Sequence, residues 1–191
     1  MRIYSNMALS EHDIVKGLEV VTQDAYILGR VMDIRFEDLT WSIQGFKVKT
    51  ESKISKIISV SGKSMILLQP GKYTIADVVL MPDTVETVRL KIAADTDNFR
   101  TVSSLIGNKV VSQDDCLIGI VDSIQVDLDN WTVVSMKVKL DKTAYQPLEI
   151  KKGLFGKKVS GLMMTHISDI AEGTIKLNLN TFAVKSQIVI D

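Results

Sequence analysis

The chain of 191 residues has few of the groups from which most chemical sites are built. It carries one cysteine, Cys116, and two histidines, His12 and His166. A lone thiol excludes an intrachain disulfide and any metal site made of several cysteines. Cys116 follows Asp114 and Asp115, which is not the electropositive setting of a reactive thiol, so it reads as structural. Each histidine has carboxylates near it in sequence, Glu11 and Asp13 for His12 and Asp169 for His166, yet a metal site needs three or four converging ligands. Both are expected on the surface or in a helical turn, and no metal or cofactor is expected. Charge of one sign is also lacking, with 23 basic and 23 acidic residues. A general nucleic-acid binder relies on a basic field over phosphates, and nucleic acid is therefore not an expected partner. No apolar run approaches the roughly 18 residues of a membrane helix, and the N-terminus has no signal-peptide pattern. These absences lead to the expectation of a cytoplasmic protein whose membrane contacts, if it makes any, run through a partner.

What the chain does have is a repeat. Residues 17–49 and 107–139 align without a gap at a constant offset of 90. Identical columns include Gly17/Gly107, Val20/Val110, Val21/Val111, Gln23/Gln113, Asp24/Asp114, Gly29/Gly119, Val31/Val121, Ile34/Ile124, Trp41/Trp131 and Lys47/Lys137. Many other columns exchange like for like, such as Thr22/Ser112, Ile27/Leu117 and Glu37/Asp127. The repeat divides the chain into two modules of about 90 residues, each large enough for one modest core. The expected division is a first domain over 1–92, a short polar linker over 93–104 and a second domain over 105–191.

Within each module, short apolar stretches are broken by turn residues, the pattern of an all-β unit. Strands are expected at Glu19–Thr22 and Lys109–Ser112, then at Ile27–Glu37 and Leu117–Asp127. In the second pair the alternation changes phase about residues 32–33 and 122–123, and a duplicated change of phase implies a bulge or sharp coil. A third strand opens at Trp41 or Trp131 and ends in an alternating apolar-Lys-Val-Lys run, the signature of a half-exposed antiparallel strand. The copies diverge afterwards; Met65–Leu68 reads as a further strand, and residues 85–92 and 170–179 as closing strands. Helices are minor, with single turns expected at Ser10–Asp13 and Met163–Ile170.

Two loops imitate phosphate-binding motifs. Gly62-Lys63-Ser64 has Ile57 where a P-loop needs its first glycine, and Gly156-Lys157 is followed by Lys158 where Ser or Thr should hold magnesium. Both read as turns. No Ser-His-Asp or paired-carboxylate arrangement emerges, so the chain is not expected to be an enzyme.

The pattern G-x-x-V-x-[ST]-x-D, then [ILV]-G-x-V, an acidic turn and an apolar-Lys-Val-Lys strand resembles the PRC-barrel family. It is carried by Gly107, Val110, Ser112, Asp114, Ile118, Gly119, Val121, Asp127 and Asp129 in the second copy. The first copy has Gly17, Val20, Thr22, Asp24, Leu28, Gly29, Val31 and Glu37. The resemblance implies an all-β fold of two small SH3-like barrels in tandem, related by a pseudo-twofold axis. It also implies a non-enzymatic adaptor, since a tandem of bare barrels is most similar to the archaeal cell-division proteins of the CdpB type. Those join the FtsZ machinery at the septum through the SepF membrane adaptor, so the implied partners are a SepF-type adaptor or another PRC-barrel division protein. The alternative is a ribosome-assembly or RNA-associated factor that uses the barrel to bind a ribosomal protein.

Features found in one copy only are the best candidates for partner contacts. The tail Thr181–Asp191 alternates Phe182, Val184, Ser186, Ile188 and Ile190 against Ala183, Lys185, Gln187, Val189 and Asp191. An extra strand is expected there, either tying the modules together or pairing across a homodimer or with another protein by β-addition. The second feature is a loop in which Lys151, Lys152, Lys157 and Lys158 flank an apolar tip of Leu154 and Phe155. The third is the segment Lys53–Tyr73, which extends the first copy. Met163 and Met164 supply adaptable surface or core.

Overall fold

The computed structural model describes residues 10–58, 65–150 and 158–190. The chain divides into two compact units. One comprises Met1–Ser103 with the turn Asp127–Thr132; the other comprises Ser104–Val126 with Val133–Asp191. Each is mostly β and is built on a mixed sheet.

The first unit contains β1 (Ser10–Glu11), α1 (His12–Val15), β2 (Glu19–Val21), β3 (Ile27–Glu37), β4 (Ile43–Thr50), α2 (Ser52–Ile57), β5 (Met65–Leu68), β6 (Thr74–Ile75), β7 (Val79–Leu80), β8 (Ile92–Ala93) and β9 (Phe99–Thr101). Its sheet runs in the order β6-β7-β2-β3-β4-β5-β8, with β9 added to the far end of β3. The β2–β3 connection turns tightly through Ala25 at φ +64°. The β3–β4 ladder slips between Val31 and Asp33, where the apolar alternation changes phase. A bulge there bends the strand and puts the consecutive residues Asp33 and Ile34 both inside. Leu28, Val31, Ile34 and Phe36 of β3, with Phe46 and Val48 of β4 and Leu67 and Leu68 of β5, make the core. Each large apolar side chain so buried contributes about 1.5–3 kcal/mol. Trp41 holds a left-handed backbone, φ +58°, and stacks on Phe36 at 5.4 Å. Trp131, of the turn that completes this unit, has φ +53° and lies 5.2 Å from Phe46 and 5.7 Å from Tyr73. Such a conformation is unfavourable for a bulky residue, and ring packing offsets it in both cases.

The second unit contains β10 (Lys109–Val111), β11 (Leu117–Asp127), β12 (Thr132–Leu140), β13 (Lys158–Met163), β14 (Ile167–Ala171), β15 (Thr174–Leu177), α3 (Thr181–Gln187) and β16 (Val189–Ile190). Its strand order is β14-β15-β10-β11-β12-β13-β16. Ile118, Val121, Ile124, Val126, Met136, Val138, Leu162, Ile175 and Leu177 fill its core.

The duplication reaches the backbone. Val20 lies opposite Gly29 and Val110 opposite Gly119, each with a slip in register at the following residue. A Cβ on Gly29 would stand 2.1 Å from the Lys49 carbonyl oxygen, and one on Gly119 2.2 Å from that of Lys139. Neither column admits a side chain. Gly17 and Gly107 share a left-handed φ of +87° and +85°, and their N–H groups donate to Val31 and Val121.

Barrel closure is not seen: among the described residues the hydrogen-bonded path of each sheet runs open from end to end. Three further expectations are corrected. Residues 85–92 form no closing strand, since Val88–Lys91 is a 3-10 turn. The counterpart of β15, which lies parallel to β10, is β7, parallel to β2. The stretch 93–104 is more than a linker, for β9 pairs with β3 from Arg35↔Thr101 to Glu37↔Phe99. Finally, most of the tail is helix.

Candidate interaction surface

The tail shows how local capping overrides an alternating pattern. Asn180 caps α3 by accepting from the Ala183 N–H at 2.8 Å. The Asp114 carboxylate anchors the same turn, accepting from the Thr181 N–H and hydroxyl at 2.9 Å each and from the Ser112 hydroxyl at 2.6 Å. The Ser112 hydroxyl, aided by Thr181 and opposed by partial burial, holds the Asp114 carboxyl below its ordinary range. With Thr181 and Val184 buried one helical turn apart, the helix lays one face on the second unit. Phe182 points away and is 79% exposed. Lys185 pairs with Glu149 at 2.5 Å.

The chain then passes through half-buried Ile188 into β16, where Ile190 lies opposite Val159 and Val189 opposite Ser160. A Cβ on Gly161 would meet the Gln187 carbonyl oxygen at 2.7 Å, so glycine is what lets the end of α3 approach β13. Val189 is 62% and Ile190 44% exposed. β16 ends the sheet, and Ile188–Ile190 contains no charged residue of the kind that protects an edge. Of the four tail residues expected to contact a partner, Phe182 and Ile190 are exposed, Ile188 is half-buried, and Val184 is fully enclosed. Lys151, Lys152, Leu154, Phe155 and Lys157 lie outside the described residues. Lys158 opens β13 opposite Lys139 and pairs with Asp122 at 2.6 Å.

The sequence reading missed a buried cluster in the first unit. His12, expected at the surface, is 1% exposed. Its Nε2 lies 3.0 Å from Asp33 Oδ1, which also accepts from the N–H groups of Ile34 and Ser103 at 2.9 and 3.2 Å. Burial pushes the Asp33 carboxyl up, and the hydrogen bonds from His12, Ser103 and Ile34 outweigh it, leaving the group below its ordinary value. His12 Nδ1 makes no hydrogen bond and sits 3.4 Å from Asp13 Oδ1. At the same offset of 90 the second copy has Val102 and Ser123. Comparing those columns is the signal that would have found the pair. A single carboxylate on β3 thus ties down α1 and the chain entering the second repeat.

Among the described residues no three His, Cys, Asp or Glu are grouped to hold a metal ion. No helix among them is long and apolar enough to cross a membrane. No protein-family model matches the chain, and a search of curated proteins finds no match.

Proposed function

We propose that this protein is a non-enzymatic adaptor of the tandem PRC-barrel type that works through protein–protein contacts in FtsZ- and SepF-based cell division. The duplicated register, with matching glycines, bulges and parallel strand pairs, supports reading each unit as a variant of one small β module. The observation that carries the adaptor reading is Phe182. It stands 79% exposed on a helix that follows the second copy alone and leads into an uncharged edge strand. Exposed aromatics of this kind are common anchors of protein contacts. The partner under this reading is a SepF-type adaptor or another PRC-barrel division protein, which recruits the chain to the septum from the cytoplasm.

Affinity capture from the native cells under mild crosslinking tests the reading. Recovery of FtsZ or a SepF-type protein well above a control with Phe182→Asp supports it. Recovery of ribosomal proteins instead sinks it in favour of a ribosome-assembly factor.

A further inference from the structure

The outer face of the second sheet carries a cationic row that the first sheet lacks. Lys109 of β10 lies opposite Ile120 of β11, and Lys139 of β12 lies opposite Lys158 of β13. The Asp141 N–H donates to the Ile118 carbonyl as the Glu51 N–H does to that of Leu28, so the pairing of Arg30 with Lys49 is repeated by Ile120 with Lys139. Directly opposite residues share a face. All four are exposed, while their chain neighbours Val110, Gly119, Val138 and Val159 are buried, so the row points away from the core. In the first sheet the same row reads Glu19, Arg30, Lys49 and Met65, and Glu19 and Arg30 form an ion pair. The second copy has Lys109 and Ile120 in place of that pair, and Lys158 in place of Met65. Like charges directly opposite, as Lys139 and Lys158 are, are unfavourable in a sheet. Asp122 reaches Lys158 at 2.6 Å, whereas among the described residues no carboxylate pairs with Lys109 or Lys139. Two unpaired cations thus stand on either side of Ile120, which is 45% exposed.

We propose that this row docks an acidic segment of a partner protein, one in which an apolar side chain is flanked by carboxylates. Neighbouring strands are about 4.8 Å apart, which sets Lys109 and Lys139 about 10 Å apart with Ile120 midway. An apolar side chain seated on Ile120 leaves a carboxylate on each side within reach of one lysine, and the flexible lysine stems adapt to the spacing. Complementary charge of this kind fixes register and speeds encounter, and between exposed groups it is screened by salt. Nucleic acid matches the row less well. None of its four residues is an aromatic on which a base could stack, and the formal net charge of zero supplies no wider basic field.

The test is titration of the isotope-labelled full chain, followed by amide shifts in nuclear magnetic resonance, with a synthetic peptide in which one leucine is flanked by glutamates. The comparison probes are the same peptide with glutamine for glutamate, the same peptide with serine for leucine, a single-stranded RNA and vesicles of phosphatidylglycerol. The acidic leucine peptide is expected to shift Lys109, Ile120, Lys139 and Lys158, and to bind more weakly as salt is raised. Lys109→Glu and Lys139→Glu are each expected to raise its dissociation constant by about tenfold or more. Both sites are exposed, and Lys139→Glu sets opposite charges face to face with Lys158, so each variant is expected to keep the wild-type unfolding midpoint. Absence of shifts with the acidic peptide overturns the inference. So do shifts that fall elsewhere or survive both lysine substitutions, and so does an equal response to the glutamine or the serine peptide. Tighter binding of the RNA or the vesicles at the same row overturns it as well, by making the row a site for phosphate groups.

Discussion

Replacing Asp33 by Ser, the residue of the second copy, probes the least expected feature of the first unit. The carboxylate holds His12, Ile34 and Ser103, and its side chain is only 12% exposed. Hydrogen bonds to a charged acceptor contribute roughly 1.5–3 kcal/mol each, and removing one member of a buried pair costs about 3–5 kcal/mol. Some water reaches the site and the serine hydroxyl keeps one bond, so Asp33→Ser should cost about 3 kcal/mol in urea unfolding at neutral pH. His12→Val alone leaves the carboxylate with its two backbone donors and should cost less. In the double variant the imidazole no longer needs a partner, so the losses should not add, with a coupling of about 1–3 kcal/mol. The pH profile gives a second reading. A carboxyl whose folded value is depressed stabilises fully above its unfolded value, about 3.9, and that stabilisation is lost as pH falls through the lower folded value. Wild type should therefore lose its advantage over Asp33→Ser only below about pH 4. A coupling under about 0.5 kcal/mol, or an advantage already lost near neutrality, would refute the assignment of Asp33 as the anchor.

Two further outcomes follow from the same structure. Gly29→Ala and Gly119→Ala each set a Cβ about 2 Å from a carbonyl oxygen of the neighbouring strand, which backbone must move to relieve; each should cost about 3 kcal/mol or more by thermal unfolding, whereas substitution of the more open Gly173, with nothing within 4 Å, costs less. Burial, then the charge of Asp83, pushes the Tyr73 phenol up to about 12. Ultraviolet titration of the folded protein, with Tyr73→Phe as the control, should find the Tyr73 phenol ionising that late, its contribution to stability full below the ordinary value near 10 and lost as pH rises through about 12.

The sequence was legible where structure is local and repeated. The limits of β3 and β11 agree with the expected Ile27–Glu37 and Leu117–Asp127, because alternation over eleven residues leaves little ambiguity. The bulge at Val31–Asp33 could be read from the change of phase. Contacts distant in sequence could not. β7 is two residues long, and its parallel pairing with β2 bridges a loop in which the copies no longer align. The tail alternates like a strand, yet Asn180 and the remote Asp114 supply the hydrogen bonds that start a helix. His12 looked exposed because its partner lies 21 residues away on the bulged strand. Of the tail residues, alternation treated Phe182 and Val184 as equivalent, while the helix places one in solvent and the other in the core.

That separation allows the adaptor reading to be tested most directly. Purified wild type and Phe182→Asp are compared for crosslinked capture of their native partners, with unfolding midpoints measured in parallel. The account predicts that Phe182→Asp keeps the wild-type stability to within about 0.5 kcal/mol, as suits an exposed site, and loses the division proteins. A variant that unfolds, or that captures the same partners in the same yield, would contradict it.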